Sequence, residues 1–422
     1  MGCEVQQFLG GGGQGEVYRA ALGGNSMALK WYFPHAATIE QRRALQTLVN
    51  KGAPNDKFLW PLELASADGV QGYGYVMTLR EPQYKGIVDL MKGRINPSFR
   101  ALAIAGRDLA HSFYQLHAHG LCYRDISFGN VFFNPDNGEV LICDNDNVTV
   151  DGSNIASVLG TPRFMAPEIV RGEALPSTRT DLFSLAVLLF YMFMIHHPLE
   201  GQKEASIRCF DLPAMTKLYG LEPVFIFDPR DDSNRPVPGY QDVVLRYWNI
   251  YPTFLKRVFT QAFTTGITDP DQRVRETVWR NTMVRLTDSI VYCSGCGSEN
   301  FYDPEAMQAN NGKPGRCWNC DMELRLPARI KIGRNVIMLN HDTHLYPYHL
   351  DDGQTYNFTR PVAEVSRHPT NPNIWGLKNT SSDKWVSIAS DGEMRDVEPG
   401  RSVTLALGTK VNFGRTEGEI RM

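Results

Sequence analysis

The chain has 422 residues, 42% of them hydrophobic, which is enough for two or three domains that each bury a core. Its 43 basic residues nearly balance its 46 acidic ones, for a net charge of −3, and no long basic run occurs. This excludes the electrostatic footprint of a nucleic-acid or anionic-membrane binder. The opening MGCEVQQFLG lacks the basic and apolar regions of a secretory signal. The most apolar run, LFSLAVLLFYMFMI from Leu182, spans fourteen residues, short of the roughly 20 a membrane helix needs, so it reads as a buried helix. Of eight cysteines, four stand in two C-x-x-C pairs and Cys3, Cys122, Cys143 and Cys209 are scattered. That usage predicts a reduced, cytoplasmic chain with one metal site and no disulfide framework.

From Phe8 to Leu90 the pattern predicts short strands around one helix. FLGGGGQGEVYRAAL and SMALKWYF alternate as hairpin strands, TIEQRRALQTLVNKG has helical spacing up to Gly52, and GYVMTL is a further strand. From Arg100 to about Asp288 the signal is helical. Ser289 to about Leu326 is a small strand-rich segment holding the cysteine pairs. After Pro327, short strands broken by Gly, Asn, Asp and Pro predict an all-β module.

LGGGGQGEV contains Gly10-x-Gly12-x-x-Gly15-x-Val17 between apolar strand residues. Glycines let backbone N–H groups approach an anion such as a phosphate. A dinucleotide fingerprint would need a strand-to-helix turn, whereas this is a hairpin. Fifteen residues after Gly15, MALK sets Lys30 on the next strand. YRDISFGN (Tyr123 to Asn130), ICDNDN around Asp144, GTPRFMAPE (Gly160 to Glu168), TDLFSLAVLLF from Thr180 and DPDQRVRETVW around Arg273 follow in order.

In this order and spacing, residues 1 to about 287 resemble a bacterial eukaryotic-like (Hanks-type) serine/threonine protein kinase. The resemblance implies a two-lobed α+β fold and ATP with Mg²⁺ as cofactors. It implies that Lys30 grips the α/β-phosphates, that Asp125 is the catalytic base, and that Asn130 and Asp144 hold magnesium. Gly10, Gly12, Gly15, Val17 and Met77 would complete the nucleotide site. Asp181 would be a structural carboxylate, Arg273 would pair with Glu168, and Thr161 would help position the substrate. Two departures stand in the catalytic loop: Tyr123 replaces the usual His, and Ser127 replaces the usual Lys. Asn145 and Asp146 replace the Phe and Gly of the D-F-G segment. The helix acid expected to pair with Lys30 is open, because Glu40 is available but register could place Gln41 there. Arg124 suggests activation by phosphorylation at Thr149, Ser153 or Ser157. The expected activity is transfer of the γ-phosphate to Ser/Thr hydroxyls of proteins, autophosphorylation included. The alternative is a nucleotide-binding pseudokinase scaffold.

CSGCG and CWNCD give C-x2-C-x20-C-x2-C from Cys293, Cys296, Cys317 and Cys320. Four thiolates at this spacing suit a closed, structural Zn²⁺ site, with redox C-x-x-C chemistry as the other reading. His341, His344 and His349 read as surface strand and loop residues. The C-terminal stretch resembles a forkhead-associated (FHA) β-sandwich through IKIGRN, VSRHP and VEPGRSVTLALGTKVNFG, with Asp383 where the resemblance expects Asn. FHA domains read phosphothreonine with an Arg and a Ser, here Arg334 and Ser366; the alternative is a module that only docks. The domains expected are thus kinase 1–287, zinc ribbon 288–326 and FHA-like β-sandwich 327–422. This assembly resembles the kinase of the bacterial tellurium-resistance-associated phosphorylation triad, which implies a PP2C-type phosphatase and a von Willebrand A-type protein as partners; the charge balance and the short apolar run predict no nucleic acid and no membrane.

Overall fold

The alternating residues around the glycine run form an antiparallel hairpin, β1 (Cys3–Gly11) on β2 (Gly15–Leu22). A computed structural model describes residues 2–152, 159–351, 353 and 356–422. They divide into two compact units, Met1–Asn249 with Leu255–Met283, and Ile250–Phe254 with Val284–Met422.

In the first unit β2 continues into β3 (Asn25–Tyr32), followed by β4 (Glu63–Ala65) and β5 (Gly74–Thr78), in the order β1-β2-β3-β5-β4. Helix α1 (Ile39–Lys51) begins where the Thr38 hydroxyl accepts from the Gln41 N–H, and it ends at Gly52, whose φ of 74° suits a residue without Cβ. Its Leu45 and Leu48 are buried, and the Trp60 indole N–H bonds the Leu48 carbonyl. The helix Phe99–Ala118 starts at a Ser98 cap, and apolar residues three and four apart (Leu102, Ala105, Leu109, Phe113, Leu116) are buried. Packing at Gly106 is tight: a Cβ there would lie 3.1 Å from the Met283 sulfur, so that side chain would have to give way. The fourteen-residue apolar run lies in the helix Thr178–Met194 and its cap residue Ile195, the helix being buried on nearly every side as one without a polar face must be. No helix of the described residues is long and apolar enough to cross a membrane.

The second unit holds the cysteine segment and a β-rich region. Ile290–Tyr292 pairs with Glu299–Phe301, and the helix Pro304–Ala309 follows an Asp303 cap. Beyond them, a six-stranded sheet runs in the order Asn335–Met338, Arg329–Ile332, Glu417–Arg421, Lys410–Asn412, Trp385–Ile388, Met394–Val397. A four-stranded sheet runs His344–Leu345, Ala363–Arg367, Trp375–Asn379, Ser402–Thr404. Residues of both sheets share one core, with Ile330, Ile420 and Trp385 from the first and Ala363, Leu377 and Val403 from the second. The β region is fastened to the cysteine segment by the buried Asn340 amide, which donates to the Ile290 carbonyl at 2.8 Å, and by Tyr292 OH on Asp342 at 2.7 Å. His349 corrects an expectation. It is buried, its Nδ1 accepting from the Tyr346 N–H and its Nε2 lying 3.2 Å from Asp288, while His341 and His344 are exposed.

One buried ion pair in the first unit closes a long loop of chain. Arg273 meets Glu168 through two parallel bonds of 2.8 Å and also bonds the Arg179 and Gly266 carbonyls. The Arg273 side chain is 2% exposed and that of Glu168 14%. Removing one partner leaves an uncompensated charge, so Arg273→Ala is expected to lose about 3–5 kcal/mol in guanidinium unfolding. Adding Glu168→Ala to it should cost little more, a coupling of about 1–3 kcal/mol. Simple additivity would show that the pair carries no joint load.

Candidate active site and metal centre

Lys30 enters the site from β3, where Val17 of β2 lies across from it and Tyr75 of β5 lies on its other side. The side chain is buried at 6% exposure, so its ammonium needs a negative partner. Two are present. Its Nζ lies 2.8 and 3.0 Å from the two Asp146 oxygens and 3.5 Å from Asp144 Oδ1. Asp146 also accepts from Tyr32 OH and, at 3.2 Å, from Tyr75 OH. Burial works against the charge on Lys30, but Asp146 and then Asp144 outweigh it and hold its pKa above the usual lysine value. Burial raises Asp144, with Lys30 opposing. Asp146 goes the other way, since Lys30 and the tyrosine hydroxyl overcome its burial and hold it below the usual carboxylate range.

The open question at α1 is resolved by register. Glu40 is exposed, whereas the half-buried Gln41 amide donates to the Asp146 carbonyl at 3.2 Å and to Tyr32 OH at 3.4 Å. Asn145 takes the Phe position of D-F-G with a polar clamp. Its fully buried amide donates to the Leu59 and Ile142 carbonyls, both at 2.9 Å.

Asp125 sits in the catalytic loop with its Oδ1 accepting from the Thr161 hydroxyl at 2.8 Å. Asn130 donates its amide to the Asp125 carbonyl at 2.7 Å and to Asp125 Oδ2 at 3.2 Å. The Asn130 carbonyl in turn accepts from the Cys143 N–H, which brings Asn130 beside Asp144. Tyr123 is wholly buried; its OH donates to the Cys143 carbonyl and its ring meets Phe113 edge-on. It braces the loop from behind. Ser127 is also buried, and its short side chain cannot do the work of a long ammonium in reaching a phosphate. Asp181 holds the loop backbone, accepting from the N–H groups of Tyr123 (2.5 Å) and Arg124 (3.0 Å). Arg124 has a φ of 73°, and its Nε donates to the Asn147 carbonyl at 2.6 Å. Of the candidate phosphorylation sites, Thr149 pairs with Cys122 in a two-residue ladder, and Ser153 and Ser157 lie outside the described residues.

The residues present fit a nucleotide. A Cβ on Gly10, Gly12 or Gly13 would meet nothing within 4 Å, so the turn presents bare backbone to whatever approaches it. Gly15 is needed for the fold itself, since a Cβ there would lie 2.2 Å from the Trp31 carbonyl. Val17, Ala28, Met77, Leu141 and Cys143 share one apolar cluster next to Lys30, a surface suited to a flat base. A hard cation is matched by the Asp144 carboxylate, 42% exposed, and by the Asn130 amide oxygen, its nitrogen being engaged by Asp125.

In the second unit the two C-x-x-C turns close alike. Gly297 N–H bonds the Cys293 carbonyl and Asp321 N–H the Cys317 carbonyl, both at 2.9 Å, with Gly297 and Asp321 both at positive φ. All four sulfurs lie within 4.8 Å of one another. The pairs Cys293–Cys320 and Cys296–Cys317, each 3.6 Å apart, run between the turns. A tetrahedron of Zn–S bonds of about 2.3 Å has edges of about 3.8 Å, so the donor set fits Zn²⁺. Gly295 N–H and the Asn300 amide point at sulfur from 3.4 and 3.5 Å, as thiolate ligands require. Arg334 occupies the hairpin turn after Ile332 in the six-stranded sheet, and Ser366 pairs with Gly376 in the four-stranded one.

Two features were not anticipated from the sequence: that Asp146 is the acid on Lys30, and that His117 bridges Asp181 to Glu276.

Residues 81–238 match the family model described as protein kinase domain. The DNA damage-responsive serine/threonine-protein kinase RqkA of Deinococcus radiodurans is 28% identical over 254 residues, 58% of this chain and 35% of that protein. The protein kinase gsk3 of Schizosaccharomyces pombe is 30% identical over 156 residues, 36% of this chain and 37% of that protein. The chain therefore spans little more than a third of the length of either relative.

The support beneath the catalytic loop titrates. Burial alone would lower the pKa of His117, but its bonds to Asp181 and Glu276 raise it from 6.5 to about 9. A group raised in the folded state stabilises fully below its unfolded pKa and loses that contribution as pH climbs through the folded one. Unfolding free energy is thus expected to drop by about 3 kcal/mol between pH 6.5 and somewhat above 9. His117→Gln should flatten that slope in urea titrations across this range, and an unchanged slope would contradict the assignment.

Proposed function

We infer that this chain, which carries a protein kinase domain, is an ATP-dependent serine/threonine protein kinase. The observation that carries the reading is the convergence of Lys30, Asp144, Asn130, Asp125 and Thr161 through the hydrogen bonds described above. When bound, MgATP supplies the γ-phosphoryl group and the metal charge that neutralises it. Lys30 holds the α/β-phosphates with its ammonium, and the Gly10–Gly15 turn covers them with backbone N–H groups. Asp144 and Asn130 would hold the metal. Asp125 accepts the proton of the substrate hydroxyl, and Thr161 fixes the Asp125 carboxylate in that direction. Tyr123 serves only the loop's packing, so its departure from His leaves the chemistry intact, whereas Ser127 removes one cation from the phosphate. The pseudokinase alternative is disfavoured because Lys30, Asp125 and Asp144 are all present.

The rest of the reading extends to the second unit. Cys293, Cys296, Cys317 and Cys320 hold a structural Zn²⁺ that keeps the small segment folded. Residues 327–422 are an FHA-like sandwich that docks a partner, with phosphothreonine recognition through Arg334 and Ser366 as the finer version. The three-part division at 287 and 326, a cytoplasmic location, and a PP2C-type phosphatase and a von Willebrand A-type protein as partners belong to the same proposal. Its support is the resemblance to the tellurium-associated triad kinase.

Transfer from labelled ATP to a generic protein acceptor tests the chemistry. Lys30→Met, Asp125→Asn and Asp144→Asn are each expected to lower it by about 100-fold or more with circular dichroism unchanged. Wild-type turnover in Asp144→Asn would sink the mechanism. For the second unit, metal analysis should find one zinc per chain, and Cys293→Ser should lose it. A protein that binds no zinc yet keeps its tryptic resistance would rule the metal out as the staple.

A further inference from the structure

We infer that Asp146 is the positioning residue for Lys30, taking the part that the kinase resemblance leads one to expect from an acid on helix α1. Four hydroxyl and ammonium contacts define its carboxylate: Lys30 Nζ at 2.8 and 3.0 Å, Tyr75 OH at 3.2 Å, and Tyr32 OH. Its side chain is wholly buried, while that of Asp144, two residues earlier, is 42% exposed. Position separates the two acids. Asp146 has both oxygens engaged by donors and no path to solvent, so it cannot take a metal. Asp144 touches Lys30 with one oxygen at 3.5 Å and faces the open side.

Helix α1 offers no competing carboxylate. Glu40 is exposed, and the side chain facing the site is Gln41, which donates to the Asp146 carbonyl and to Tyr32 OH. The Gln41 amide thus holds the backbone of Asp146 and the Tyr32 hydroxyl that donates to its carboxylate, whereas a second carboxylate there would repel the acid.

The relocation changes what controls the site. A counter-charge on α1 would be lost whenever that helix swung outward. Here it sits on the same short segment as Asp144, the proposed metal ligand, and the Asn145 amide pins that segment to the Leu59 and Ile142 carbonyls. Placement of Lys30 therefore follows the seating of Asp144–Asp146, so ammonium and metal ligand are set or lost together. This rests on the kinase reading for its consequence in rate, but its effect on nucleotide affinity stands apart from catalysis.

The test relocates the charge. Asp146→Asn, Gln41→Glu and the double variant are compared with wild type by calorimetric titration with MgADP and by steady-state transfer from ATP. Circular dichroism checks the fold. Asp146→Asn is expected to weaken MgADP about tenfold and to lower kcat/KM for ATP about 100-fold. Gln41→Glu alone should weaken binding by crowding two carboxylates. Combined with Asp146→Asn, the same change should restore at least about tenfold in each quantity, a reversal of sign that loss of packing alone cannot produce. If Asp146→Asn fails to fold, recovery of both fold and affinity in the double variant gives the same support. The inference is overturned if Asp146→Asn binds MgADP like wild type, or if the double variant recovers neither fold nor affinity. Absence of transfer by wild type would defeat the kinase reading, and the MgADP comparison would still decide Asp146.

Discussion

A buried ammonium must be neutralised, and much of the first unit is arranged around meeting that need for Lys30. The side chain leaves β3 into a space closed by Tyr32 and Tyr75, where an unpaired charge would be too costly to keep. Asp146 supplies the counter-charge, and in doing so it draws the D-N-D segment inward against the sheet. Asn145 seals that segment with two backbone bonds, and Asp144 is left at the open edge, where a cation can reach it. One electrostatic requirement thus places Lys30 and Asp144, the proposed phosphate-binding cation and metal ligand, beside each other.

A second anchor holds the opposite wall. Asp181, at the start of a helix buried on nearly every side, fixes the catalytic-loop backbone through two N–H groups and is itself held by His117, which Glu276 grips from the other side. The Tyr123 ring fills the space behind the loop and reaches the Cys143 carbonyl, next to Asp144. The Tyr123 side chain therefore connects the loop bearing Asp125 to the segment that leads into Asp144.

Features set by short-range patterning were legible in the sequence. The glycine hairpin, the Thr38 and Gly52 limits of α1, the buried helix from Thr178 and the two cysteine turns each follow from residues a few positions apart. Long-range pairings could be read only where a motif implied them, as with Arg273 and Glu168, 105 residues apart. The partner of Lys30 was not legible, because Asp146 lies 116 residues away at a position where the motif carries glycine. His349 was read as a surface residue because nothing local reveals Asp288, 61 residues earlier, beside it. The helix Pro304–Ala309 could have been found, since Asp303 followed by proline is a start signal that the strand-rich reading of the segment passed over.

The most direct test is a crystal structure with Mg²⁺ and a non-hydrolysable ATP analogue. The account predicts Lys30 Nζ on phosphate oxygens while still bonded to Asp146, metal on Asp144 and Asn130, and Glu40 still facing solvent. Metal on Asp146, or Glu40 turned inward to take Lys30 from it, would contradict the account at its centre.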